Sequence, residues 1–304
     1  MRQFLGLTRR NLLVYFKDVQ AVIFSMLTSI IVFMLYLLFL RQSYVDSIHE
    51  QAKMLGDLVK ETDIKVFTAG LLLSGLMGSA VITVSYHTLT TLVHDREKRI
   101  DYDISATPIR RWQIILSYFL ASFLAAILMT WFILTAGLIL VAFEEGSLHL
   151  TAGIILRMYG LTVLGALSAT ALFMPLVLLF KSTSASGAFF GILSAASGFV
   201  IGAYIPIAQF SDTVQSFCSV FPGTGVTTLF RTTLLGPILD HMDKGIGGVD
   251  GGMFVQGMRE AFAPPVKIFG ATLNEGQTVA YIVVLAVLCV AAICLIYPKI
   301  YRRK

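Results

Sequence analysis

Charged side chains are scarce in this 304-residue chain. Asp, Glu, Lys and Arg make up 13% of it, about half the share of an ordinary soluble domain. With 56% hydrophobic residues, that composition excludes a water-soluble globular protein. Cysteine is scarce too. Cys218, Cys289 and Cys294 are the only three, and their spacing fits neither a disulfide framework, a redox pair nor a metal site. A calcium loop is the other tempting metal reading, because Asp240, Asp243 and Asp250 lie among glycines at 245–252. Their spacing does not match a helix–loop–helix calcium site, so no metal is expected.

What the chain does have is six long apolar runs, at 19–40, 66–93, 112–143, 153–180, 186–208 and 279–298. A hydrocarbon layer about 30 Å thick needs about 20 apolar residues in a helix, and each run meets that length. The first run is too long for a signal peptide and has no small-residue cleavage site behind it. The expected fold is therefore an all-α integral membrane protein, one unit over 1–304 with six transmembrane helices.

The basic residues fall between the runs on alternate sides. Residues 1–18, the loop at 94–111, the turn at Lys181 and the C-terminal tail carry 14 basic and five acidic residues, a net of +9. The opposite side has a net of −4. Lys and Arg close to span ends mark the cytoplasmic face, so both termini are expected there, as six crossings require. Because the positive charge hugs the membrane and forms no single patch, the expected contact is membrane lipid, with no nucleic acid.

Finer features follow. Leu5, Leu12, Leu13 and Phe16 share one helical face over 1–18, with Arg9, Arg10 and Lys17 on others. That pattern predicts an amphipathic helix lying in the inner interface. The second run carries Ser74, Gly78 and Thr83, and the fifth carries Gly187 and Gly191, then Ser194, Gly198 and Gly202 at fourfold spacing. Small residues so placed let helices approach closely. They serve packing inside one subunit, a dimer face or the lining of a path, and the sequence does not choose. His87, the only histidine within a run, reads as structural and within reach of headgroups. Arg41–Lys65 is expected as an outer loop. Residues 209–278 form an outer region whose apolar first half, broken at Pro222-Gly223, suits short helices dipping into the outer leaflet.

The most specific segment is the loop at 94–111. Asp95-Arg96-Glu97-Lys98-Arg99 gives way to Ile100-Asp101-Tyr102-Asp103-Ile104 and then Thr107-Pro108. Pro108 disfavours helix at Thr107, so a short charged helix ending there is expected. By physics alone it is equally a docking helix and a solvated connector. Deep span interiors lack Asp, Glu, Lys and Arg, which speaks against an ion-coupled secondary transporter or channel. An intramembrane enzyme lacks its residues as well, since His94-Asp95-x-Glu97 has no second histidine. A non-transporting membrane scaffold would use the same loop.

The loop resembles that of ABC-2-type permeases, the membrane subunits of ATP-binding-cassette exporters. The similarity rests on Asp95-Arg96-Glu97-Lys98-Arg99, on Thr107-Pro108 and on Ile114-Ile115-Leu116; the chain departs from the family pattern at Ile100-Asp101-Tyr102-Asp103. Phe221-Pro222-Gly223-Thr224 resembles the family's outer re-entrant region, and 240–252 looks like an insertion. The resemblance implies a half-transporter that pairs with a second permease copy or a sibling permease. Two separate ATPase subunits would carry ATP and Mg, and none would be bound by this chain, which lacks a G-x-x-x-x-G-K-[S/T] phosphate loop. It further implies that Asp95 to Ile104, with Thr107 and Pro108, couple the ATPase to the spans. The expected cargo is a drug-like, peptide or lipid substrate, exported across the plasma membrane of a bacterial cell.

Overall fold

A computed structural model describes residues 2–52, 58–145 and 150–300. Helix α1 (Arg2–Lys17) precedes α2 (Val19–Leu35), a π-turn at Tyr36–Leu40 and α3 (Arg41–Ala52). Then come α4 (Glu61–Glu97), the short α5 (Ile100–Ala106), α6 (Arg111–Glu145), α7 (Ala152–Val177) and α8 (Thr183–Val200). The rest comprises α9 (Asp212–Val220), α10 (Pro222–Ile246), α11 (Met253–Phe262), the strands β1 (Val266–Ile268) and β2 (Ala271–Leu273), and α12 (Glu275–Ile300). The two strands pair antiparallel, Val266 opposite Leu273. Among the described residues six helices are long and apolar enough to cross a membrane, at the six places where the apolar runs lie.

Helix α4 is the centre. It packs against α2, α6, α7, α8 and α10, and its apolar window is wholly buried. Such a helix has to be smooth where neighbours come close. A Cβ added at Gly78 would stand 2.1 Å from Thr227 Oγ1, and one at Gly137 would stand 2.6 Å from Leu73 Cδ1. Ser74 and Thr83 are also buried, and their hydroxyls donate back to Leu71 O and Ser79 O of their own helix, at 2.7 and 3.0 Å. Within this chain Ser74, Gly78 and Thr83 are interior packing residues.

Three segments differ from the sequence expectation. The polar stretch after the first run is helical, not a loop, as far as Ala52. It contains neither Gly nor Pro, and Val45, Ile48 and Ala52 at i, i+3 and i+7 are buried. The preceding π-turn gives α3 its own rotation about the axis. The fifth apolar helix stops at Val200. Gly202 turns the chain with φ +71°, against Ile207, and Gly198 is overlain by the Tyr204 ring. Only Ser194 and Gly198 of that row are therefore helical. The stretch expected as a Gly/Asp loop from 240 is helical to Ile246, and the loop is confined to 247–252. Asp250 accepts the backbone N–H groups of Gly252 and Phe254 at 3.0 and 2.9 Å, so from two residues before the N-cap Gly252 it satisfies an N–H of the first turn of α11.

Helix α10 lies against α4, α7 and α12 and runs antiparallel to α4. Gly223 meets Ile82, Thr227 meets Gly78, and Leu235 and Ile238 meet Gly70. Since α4 spans 61–97, the Phe221-Pro222 turn sits level with its middle. Phe221 caps nothing with its side chain, Pro222 occupies the first helical turn, where it is well tolerated, and Thr224 Oγ1 donates to Cys218 O at 2.6 Å. The basic tail at Arg302, Arg303 and Lys304 and residues 53–57, between α3 and α4, lie outside the described residues.

Candidate functional site

The charged loop is built as a knot joining several helices. Thr88, Leu92 and Asp95 share one buried face of α4, at i, i+4 and i+7. Asp95 is therefore carried inward although it is charged, and is 1% exposed. Its carboxylate accepts two bonds from the Arg10 guanidinium of α1, the Nη2 one at 3.0 Å. The Tyr118 hydroxyl of α6 donates to it at 2.6 Å. A buried carboxylate is tolerable only with such partners.

The next two residues point elsewhere. Arg96 donates to Leu178 O and Phe180 O at 2.5 and 3.0 Å, carbonyls that the end of α7 leaves without intrahelical partners. A cation at a helix C-terminus is also favoured by the helix dipole. Glu97 accepts from Thr183 N and Thr183 Oγ1 at 3.2 and 2.6 Å, at the first turn of α8, where a carboxylate is favoured for the opposite reason. Asp95, Arg96 and Glu97 thus tie the end of α4 to α1, α6, α7 and α8.

Beyond them Lys98 and Arg99 are exposed, and Arg99 takes a left-handed conformation, φ 60°. That residue reverses the chain into α5. The helix ends at Ala106, and Thr107 is extended, φ −74° and ψ 154°, as a residue before proline must be. Helix α5 has two faces. Asp101 and Ile104 turn inward, to a small recess shared with Arg96, Tyr118, Leu178, Phe180 and Tyr297. Asp101 Oδ1 is buried there without a hydrogen-bond partner, and burial pushes its carboxyl up from the ordinary value. Tyr102, 60% exposed, and Asp103 face outward, together with Thr107 and Pro108; Ile100 is half-buried.

The helix α1 shows which way its faces turn. Its buried residues are Thr8, Asn11 and Tyr15. Asn11 Nδ2 donates to Ser117 Oγ at 3.4 Å and Tyr15 Oη to Ser25 Oγ at 2.9 Å. Leu5 and Leu13 are exposed, while Leu12 and Phe16 are half-buried. The polar face packs on protein and part of the apolar face looks outward.

Sequence reasoning found the loop but missed Arg10, Tyr118 and Thr183, which lie 85, 23 and 86 residues from their partners. One signal was available. Asp95 continues the apolar face of α4 and so had to find a cation or hydrogen-bond donor there.

A family model described as ABC-2 family transporter protein matches residues 59–297. That is well over half the chain, and the chain belongs to this family: it is an ABC-2-type permease, a multi-pass membrane subunit that is not itself an ATPase. No curated protein and no solved structure matches the chain.

Proposed function

We propose that this permease is the membrane half of an ATP-driven exporter, with both termini and the 94–111 hairpin on the cytoplasmic side. The outward face of α5 seats a separate ATPase subunit. One observation carries the reading: Asp95, Arg96 and Glu97 bind four other helices, so a push on α5 is passed to α1, α6, α7 and α8 together. A flexible solvated connector would have no need of a buried carboxylate. Chemistry on ATP and Mg belongs to the ATPase, and the Phe221–Thr224 turn, halfway along α4, serves as the re-entrant point of the outer region. A drug-like, peptide or lipid cargo fits this design equally.

Co-purification tests the proposal. The tagged full chain is expected to bring down an ATPase subunit from its native membrane and to support cargo export only with ATP. Proton-driven flux in the absence of ATP would instead identify a secondary carrier.

A second copy of the permease packs along α8 from Gly191 onward in this reading. A Cβ on Gly191 would meet nothing within 4 Å, and Ala195 extends its row on the exposed face. Lipid and a second helix are equally apolar, so association depends on close fit. Gly191→Leu is expected to lower self-association about tenfold, the equivalent of about 1.4 kcal/mol. Energy transfer between labelled copies at graded protein-to-lipid ratios measures it, and an unchanged dimer fraction would remove α8 from the interface.

A further inference from the structure

Behind the elbow between α1 and α2 lies a cavity of about 550 Å³, within the range of small-molecule sites. One wall is the elbow itself, from Val14 to Ala21. The second is the end of α4, with His87, Thr90, Thr91 and His94. The third is the first turn of α8, with Thr183 and Gly187, and Phe190 beyond. The cavity is polar toward the loop and apolar toward Ala21, Gly187 and Phe190. Its depth along α4 is that of the residues just before the Asp95 knot, where the apolar run gives way to charge.

Its lining carries both signs of charge, but the carboxylates already have partners. Asp18 lines it beside Lys17 and Glu97 stands near it, and both accept from helix N-termini. Asp18 Oδ1 accepts from Ala21 N at 3.0 Å at the start of α2, and Glu97 accepts from Thr183 at the start of α8. Lys17 is exposed at the elbow and has no ion-pair partner among the described residues. His87 is half-buried, edge-on to the Phe190 ring, and its Nδ1 is buried with no hydrogen-bond partner. The lining therefore offers an unpaired ammonium, an unpaired imidazole nitrogen and threonine hydroxyls beside an apolar floor.

We propose that this cavity binds the anionic phosphate headgroup of an amphiphile drawn from the inner leaflet, the phosphate at Lys17 and the first carbons of its chains along Ala21, Gly187 and Phe190. The inference rests on the cytoplasmic placement of the hairpin given above, and it names a ligand class for a site that the transport reading leaves unassigned.

The test uses the full chain in bilayer discs of phosphatidylcholine with a minor share of phosphatidylglycerol, and counts by native mass spectrometry the phosphatidylglycerol that stays bound. Lys17→Gln is expected to retain about fivefold less, the weight of one basic side chain at an anionic surface. Thr91→Trp, which puts an indole into the cavity and keeps Lys17, is expected to lose retention as well. Arg9→Gln, exposed and outside the cavity, is expected to match the unchanged protein. Equal retention by all three variants would overturn the proposal, and so would a loss with Arg9→Gln as large as with Lys17→Gln, which marks general surface charge. Displacement of the lipid by millimolar inorganic phosphate would assign the site to free phosphate, against the proposal. Cross-links between copies through Thr91→Cys would show that a second permease covers the cavity, again against it. Each outcome is read on a chain that still brings down its ATPase, so failure here is separable from failure of the transport reading.

Discussion

Arg10→Ala is expected to destabilise the protein by about 3–5 kcal/mol, the cost of leaving a buried charge without its partner. Asp95 is the buried member of the pair and Arg10 is a third exposed. Without the guanidinium, the buried carboxylate keeps the Tyr118 hydroxyl at 2.6 Å and the His94 imidazole, its Nδ1 4.0 Å away. The reverse change is milder. Asp95→Ala leaves a guanidinium that can turn outward and a buried Tyr118 hydroxyl without an acceptor, a loss of about 1–3 kcal/mol. The double variant should therefore be more stable than Arg10→Ala alone. Thermal unfolding of the four proteins in one detergent gives the cycle. If Asp95→Ala proves the more damaging change, the burial argument is wrong and Arg10 has another partner in the membrane.

The two faces of α5 should separate by phenotype. Tyr102→Ala combined with Asp103→Lys alters only exposed groups. It is expected to weaken ATPase attachment at least about thirtyfold, as for an interface anchor worth about 2 kcal/mol, with an unchanged unfolding temperature. Ile104→Ala removes a half-buried side chain from the recess. A cost of about 1–2 kcal/mol is expected, below that of a fully buried isoleucine, with attachment reduced much less. Surface binding of the ATPase to immobilised permease reads the first quantity and a melting curve the second. Loss of stability without loss of attachment in the Tyr102/Asp103 variant would reverse the assignment of the faces.

The contrast between those faces explains what the sequence could show. Six apolar runs were legible because the hydrocarbon layer selects length and polarity, and neighbours hardly matter to that choice. Pro108 made the end of α5 legible, since its ring acts on the adjacent residue alone. Helix α10 was hidden by its many threonines and by Pro237. Its state is decided by burial against α4 and α7, which overrides weak local propensity. The continuation of the first helix into α3 left a trace in Val45, Ile48 and Ala52, outweighed by the polar residues between them. At the site, the motif from Asp95 to Pro108 was visible as composition, but its division was not. Asp95, Arg96 and Glu97 look like a solvated charge run until α1, α7 and α8 arrive from other parts of the chain to meet them.

The account depends most on α5 facing the cytoplasm and touching an ATPase. Asp103→Cys, in a chain whose Cys218, Cys289 and Cys294 are replaced by serine, tests that directly with a membrane-impermeant thiol reagent. The account predicts no labelling of intact cells, labelling of inside-out vesicles stripped of ATPase, and protection when the ATPase is restored. Labelling from the outside of intact cells would contradict it.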